Sequence, residues 1–300
     1  MKIQKLFFLL IFFIFLVFSC NENKTGTWKT IIDINPSQQV TITGFNDDNF
    51  GITAGYAGTQ RYTNDGGKIW NVGQNNSWCR FGLDILNNNI AWTCGNKGHN
   101  RVTDNGGKNW KAQTDYGNME PRQCRYISYY DENTGWLASP ELLARTRDGG
   151  KTWEKIDLPQ DIDKILAINL STPETGYLLD ANGIIYMTKD SAKTWERIIL
   201  KIEKNNYVFY PTSASSIVMK FRDNNGIIIL RQTNPKKQFV ALYTNDEGKT
   251  WRNEIILYKA PKNAKSFWDY FLYLSHDWNY LTITTGTGND NKHIIVLKKS

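Results

Sequence analysis

Thr146-Arg147-Asp148-Gly149-Gly150-Lys151-Thr152-Trp153 is the stretch that decides the fold, because the chain writes near copies of it four more times. These run from Thr63 to Trp70, Thr103 to Trp110, Thr188 to Trp195 and Thr244 to Trp251, so successive tryptophans lie 40, 43, 42 and 56 residues apart. A period near forty is one supersecondary unit, which cannot bury its apolar face alone and so must stack on its neighbours.

Each copy carries its own local physics. The acid at its third position (Asp65, Asp148, Asp190, Asp246) offers an acceptor to nearby backbone amides, and Asn105 stands there in the second copy. Glycines after it take positive φ freely, as a tight turn between strands requires. The tryptophans Trp70, Trp110, Trp153, Trp195 and Trp251 then open the next strand, and a ring recurring once per unit needs a pocket between stacked units. Three copies depart from the pattern, with Asn105 for Asp, Ser191-Ala192 for both glycines and Glu247 for the first glycine. Looser turns are expected there.

The rest of each unit reads as strands. Val40 to Gly55, Arg80 to Gly95 and Arg125 to Pro140 align without gaps, each an apolar run, a polar turn and a second apolar run such as Gly135-Trp136-Leu137-Ala138. A third short strand follows (Gln60 to Thr63, Ile184 to Thr188), the repeat turns it, and the Trp opens a fourth. Four strands per forty residues make the blade of a β-propeller, an all-β architecture. His293-Ile294-Ile295-Val296-Leu297 matches Ile184-Ile185-Tyr186-Met187, and Thr25-Gly26-Thr27-Trp28-Lys29 looks like the end of a repeat turn plus a fourth strand. The N- and C-terminal fragments thus complete one blade and close a ring of six, removing exposed sheet edges. Seven blades are disfavoured, because only the unit ending at Trp251 has spare length, expected as a loop or longer strands at Arg222 to Lys237.

The repeats resemble the Asp-box, or BNR, repeat across the whole chain after its leader. Gly135-Trp136-Leu137 followed by Arg145-Thr146-Arg147-Asp148-Gly149-Gly150-Lys151-Thr152-Trp153 is similar in style to the propeller of photosystem II assembly and stability factors, also found in non-photosynthetic bacterial proteins. That resemblance implies protein binding or assembly without chemistry; the photosynthetic role itself does not transfer. Asp-box propellers also include sialidases and endoglucanases. A sialidase needs an Arg-Ile-Pro segment in its first unit and three converging arginines, yet Gln39 to Trp70 holds only Arg61 and no Arg-Ile-Pro occurs. A glycoside hydrolase of another type stays as the alternative, with Asp84, Glu120, Glu141 and Asp269 as candidate carboxylates.

The leader is separate. Lys2 and Lys5 precede an apolar run from Leu6 to Phe18, the length of a signal-peptide core and short for a membrane span. Val17-Phe18-Ser19-Cys20 resembles a bacterial lipoprotein box, which implies a signal peptide over 1–19, a lipid on Cys20, a tether over 20–27 and the propeller over 28–300. An ordinary secretory signal is the other reading. The expected site is the bacterial cell envelope, with the membrane reached through the N-terminal lipid. Without 1–19 the formal charge falls from +7 to +5 by loss of the two lysines, a modest bias spread along the chain. No nucleic-acid motif is present, and a monomer is expected.

Candidate binding residues come from the unit alignment. Cys79-Arg80-Phe81 and Cys124-Arg125-Tyr126 stand at equivalent points, so Arg80 and Arg125, with Arg122 close by, are expected as a cationic shelf on the central channel. Ion pairs with neighbouring blades are the bland reading. Trp78, Phe81, Tyr126 and Trp268 could offer rings to a sugar or a protein, although packing is the commoner use of such residues. If unit two turns at Leu86-Asn87, antiparallel partners place Cys79 opposite Cys94, within reach of a disulfide; both as small core residues is the alternative. His99, His276 and His293 read as isolated, so no metal and no cofactor is expected.

Overall fold

The computed structural model describes residues 28–34, 40–55, 59–74, 80–96, 98–113, 116, 119, 123–202, 206–207, 209, 217–232, 238–259, 270–285 and 293–300. They form six four-stranded antiparallel sheets. β1 is Trp28–Ile34. Blade 1 is β2 (Val40–Phe45), β3 (Gly51–Gly55), β4 (Gln60–Thr63) and β5 (Asn71–Gln74); blade 2 is β6 (Arg80–Ile85), β7 (Ala91–Gly95), β8 (Asn100–Thr103) and β9 (Lys111–Gln113). Blade 3 comprises β10 (Tyr126–Tyr129), β11 (Gly135–Ser139), β12 (Leu142–Thr146) and β13 (Glu154–Ile156), and blade 4 β14 (Ile165–Leu170), β15 (Gly176–Asp180), β16 (Ile184–Thr188) and β17 (Glu196–Ile199). Blade 5 holds β18 (Val218–Arg222), β19 (Asn225–Gln232), β20 (Gln238–Thr244) and β21 (Arg252–Lys259); blade 6 holds β22 (Tyr270–Leu274), β23 (Tyr280–Thr285) and β24 (His293–Lys299).

The ring closes as the repeat pattern requires. β1 is the outer strand of blade 6, antiparallel to β24, with Trp28 opposite Lys299 and Asp33 opposite Ile295. Each inner strand packs on the next, from β2 through β6, β10, β14 and β18 to β22 and back to β2. The indole of Trp28 donates to the Tyr243 hydroxyl of blade 5 at 3.2 Å, tying the closing strand to its neighbour.

Every repeat makes the same turn. The Thr hydroxyl oxygen accepts from the amide four residues on, as Gly67 to Thr63 (2.9 Å) and Gly150 to Thr146 (2.8 Å), while the Asp or Asn oxygen accepts from the amide four residues beyond itself. The two central residues are left-handed throughout, Gly149 and Gly150 at φ 73 and 84°. The departures do not loosen it. Ser191 and Ala192 hold φ 60 and 65°, Glu247 holds 59°, and the Thr188 and Thr244 bonds are intact. Side chains bonded around the turn over-determine its backbone, so non-glycine residues carry the strain. Each turn also reaches its own blade's first hairpin, with the amides of Gly66, Gly106, Gly149, Ser191 and Glu247 donating to Asn49, Asn89, Asn133, Glu174 and Asn224. Repeat turns and first hairpins therefore share one face of the ring.

Between blades the second strand supplies the packing. Trp92 of β7 stacks on Tyr129 of β10 at 3.6 Å between centroids, and Tyr177 of β15 on Phe221 of β18 at 3.7 Å. Trp136 of β11 covers the backbone of Gly176, where any Cβ would overlap its ring, and meets Trp195 at 6.1 Å. Most of the spare length between Trp195 and Trp251 falls between β17 and β18, at residues 200–217, rather than at Arg222 to Lys237; within blade 5, β19 and β20 lengthen to eight and seven residues, and β18 and β19 join through Asp223-Asn224 alone.

The register of blade 2 corrects the sequence reading. Its first hairpin turns over Leu86 to Ile90, since Ile85 pairs with Ala91, and a bulge falls between Arg80 and Gly82. Asn87 accepts from the amides of Asn89 and Ile90, so an Asx turn replaces the expected two-residue loop. Cys94 consequently faces Gly82, its sulfur where a Gly82 Cβ would stand. The register that put Cys79 opposite Cys94 does not occur, and Cys79 itself lies outside the described residues.

Candidate functional site

The inner strand of a propeller blade has no partner on its channel side, so some of its amides need other acceptors. One position supplies them. The residue before the last of the inner strand is Gly44, Asp84, Ser128, Asn169 or Tyr273, and in β18, which runs one residue further, the equivalent position is Lys220, because Phe221 pairs with Gly226 as Leu170 does with Gly176. Asp84 Oδ2 accepts from the Tyr129 amide at 2.6 Å, Ser128 Oγ from Leu170 at 3.0 Å and Asn169 Oδ1 from Phe221 at 2.8 Å, each a bond to the next blade. Gly44 leaves room for the Tyr273 ring, 2.7 Å from where a Cβ would sit, and the Tyr273 hydroxyl donates to the Ile85 carbonyl at 3.3 Å.

Two members of this set carry charge. Asp84 is 1% exposed. Its Oδ1 lies 3.5 Å from Lys220 Nζ on the opposite blade and 2.8 Å from His276 Nε2 in the first hairpin of blade 6. Burial pushes this carboxyl up, but Lys220, His276 and the Tyr129 amide outweigh that and hold it at about 2. The channel behind the pair is narrow, about 60 Å³, lined by inner-strand residues of all six blades. That is room for a few waters and too little for a substrate.

In front of the pair, on the repeat-turn face, the molecule opens into a recess of about 420 Å³. Lys220, Asn169 and His276 reach its floor, while Arg222, Trp278 and Tyr130 stand at its walls. The Arg222 guanidinium lies 5.6 Å from the Trp278 ring centroid and donates to the His276 carbonyl. Trp278 sits at φ 63°, an outlier for a bulky residue. Its turn is stapled by Asp277, which accepts from Ser275 and from both the amide and the side chain of Asn279.

The sequence-predicted residues are placed as follows. Arg125 lines the channel toward its other mouth, half-buried, and donates to Gln123 at 3.1 Å. Tyr126 is buried, its hydroxyl pKa raised by desolvation, and half-buried Phe81 packs against the core between blades 1 and 2. Arg80 opens β6, with its side chain outside the described set; Trp78, Arg122, Trp268 and Cys20 are also outside it. Of the candidate carboxylates, Glu120 and Asp269 lie outside the described residues. Glu141, in the turn between β11 and β12, is on the face opposite Asp84 and pairs with Lys164. Asp180, whose pKa burial raises, is occupied by the amides of Asn182, Ile184 and Asp163. His276, read from sequence as isolated, bonds Asp84; aligning the unit ends at the first hairpin would have exposed the Asp84 and Lys220 positions.

The family model described as photosynthesis system II assembly factor YCF48 matches residues 74–201, and the sortilin-Vps10 model, described as sortilin, neurotensin receptor 3, matches 141–267. A solved structure of YCF48 bound to D1 peptide superposes with a TM-score of 0.54 at 15% identity, covering 91% of this chain and 97% of that one. YCF48 from Cyanidioschyzon merolae gives 0.51 at 14% identity, covering 91% and 98%. This chain is a BNR-type six-bladed β-propeller. An ancestral GH74 enzyme superposes at TM-score 0.51 and 14% identity, over 87% of this chain but 38% of the enzyme. At such identities the likeness is one of fold alone. No curated protein matches the sequence significantly.

Proposed function

We propose that this protein is a non-catalytic binding propeller, anchored at a bacterial envelope by a lipid on Cys20, which takes a protein partner in the recess of its repeat-turn face. The state of Asp84 carries the reading. A glycosidase needs a protonated acid and a second carboxylate roughly 5–10 Å away. Asp84 instead is held ionised at about 2, with its oxygens committed to Tyr129, Lys220 and His276. Glu141 belongs to the other face, and Asp180 is spent on its own turn. Protein binding is supported by the assembly-factor family model and by the fold neighbour solved with a peptide.

Three measurements test it. Labelling with a palmitate analogue should mark the wild type and leave Cys20→Ser unmarked; equal labelling of both removes the anchor. Affinity capture from a detergent-solubilised envelope should retain a protein with the wild type and lose it with Trp278→Ala. Release of sugar from envelope glycans by the purified protein, abolished in Asp84→Asn, would instead establish the hydrolase.

A further inference from the structure

We infer that the recess recognises a carboxylate presented on a flat or apolar body. This rests on reading the recess as a binding site and adds the chemistry of what enters it. The ground is an imbalance between donors and acceptors. Lys220 has three N–H donors and one long contact, to Asp84 at 3.5 Å. Arg222 has five donors, one of which is committed to the His276 carbonyl. Asn169 spends its oxygen on the Phe221 amide, which leaves its NH₂ toward the recess among the described residues. Against these stand the hydroxyls of Ser171 and Thr172 and one exposed carboxylate, Asp223 at the hairpin tip. Asp84 is buried and already engaged on both oxygens. A ligand group that only accepts, and is planar enough for the Arg222 fork, complements this set better than a hydroxyl that must both donate and accept.

The walls supply the second half. Tyr130 is 44% exposed on one side, and Trp278 carries Arg222 on the other. Trp278 and Asp223 both hold left-handed backbone, at φ 63 and 51°, on the two hairpins that frame the recess. Strain of this kind persists where the surroundings fix a side chain in a set direction. Here it sets an indole beside the cationic group.

Phenylacetate and its neutral isostere phenylacetamide are the probes, titrated by protein-observed NMR, with N-acetylchitotriose as a third ligand. The acid is expected to shift recess resonances and to bind about tenfold or more tighter than the amide, since hydrogen bonds to a charged group are the stronger class. Arg222→Gln, an exposed substitution that should fold normally, is expected to remove most of that preference by weakening the acid more than the amide. Equal binding of acid and amide, or preference for the sugar, overturns the carboxylate and leaves the recess as a site; binding of none of the three overturns the site itself. If phenylacetate displaces the captured partner, the carboxylate comes from a protein side chain or terminus. Binding without displacement assigns a free small acid.

Discussion

Asp84 and Lys220 stand on opposite blades, 136 residues apart in sequence, and their side chains meet across the ring at 3.5 Å. The contact acts as a tie across the axis. Asp84→Asn leaves the Lys220 ammonium, whose side chain is 13% exposed, without its counter-charge, and the expected loss is about 3–5 kcal/mol. Adding Lys220→Met should recover most of it, because no buried charge then goes unpaired. Chemical denaturation of the two variants checks this; a double variant no more stable than Asp84→Asn would show that the pair is not the cause.

The same carboxyl sets a pH dependence. Its folded pKa of about 2 lies below its ordinary value of 3.8, so its contribution is complete above pH ~4 and is lost as pH falls through about 2. The magnitude is on the order of 2 kcal/mol. Asp190, held at about 2 by Thr194 and Thr188, titrates in the same window, so the informative quantity is wild type minus Asp84→Asn. That difference should shrink between pH 4 and 2; a constant difference would show that Asp84 does not titrate there.

Ala192 holds φ 65° with no polar side chain to compensate. The left-handed cost is about 1–2 kcal/mol, and the added freedom of glycine in the unfolded chain returns about 0.4–1. Ala192→Gly is therefore expected to stabilise by about 0.5–1 kcal/mol in thermal unfolding.

Thr146 both accepts from Gly150 at 2.8 Å and donates to Asp148 at 2.8 Å. Thr146→Val keeps the shape and strands the buried Gly150 amide, so about 1–3 kcal/mol should be lost. Hydrogen exchange at Gly150, faster in the variant, localises the effect.

Closure gives a further expectation. Without β1, β24 becomes an open, apolar edge, with Ile294 to Leu297 all buried in the intact ring. Deleting residues 28–34 should yield self-associating protein by light scattering; a monomer of unchanged stability would mean the shared blade contributes nothing.

Much of this architecture was legible from the repeats. The Thr and Trp beat fixes the third and fourth strands, and the match of His293–Leu297 to Ile184–Met187 locates the join, because such features are local or periodic. The register of blade 2 was not legible, since the Asx turn at Asn87 and the bulge beside Gly82 shift the pairing without changing composition. The recess was not legible either. Lys220, His276 and Asp84 come from three blades, and only ring closure brings them together; each alone looks like an isolated polar residue in an apolar run.

β1 starts at Trp28 beside Lys299, whose amide bonds Asn279 in the first hairpin of blade 6, so the chain arrives on the face that bears the recess. With Cys20 as the proposed anchor, the eight residues from Cys20 to Thr27 span at most about 28 Å when fully extended. The recess would then look down at the bilayer rather than out into the aqueous compartment. Whatever docks there would have to fit the gap beneath the wheel, as a short loop rising from an integral membrane protein does.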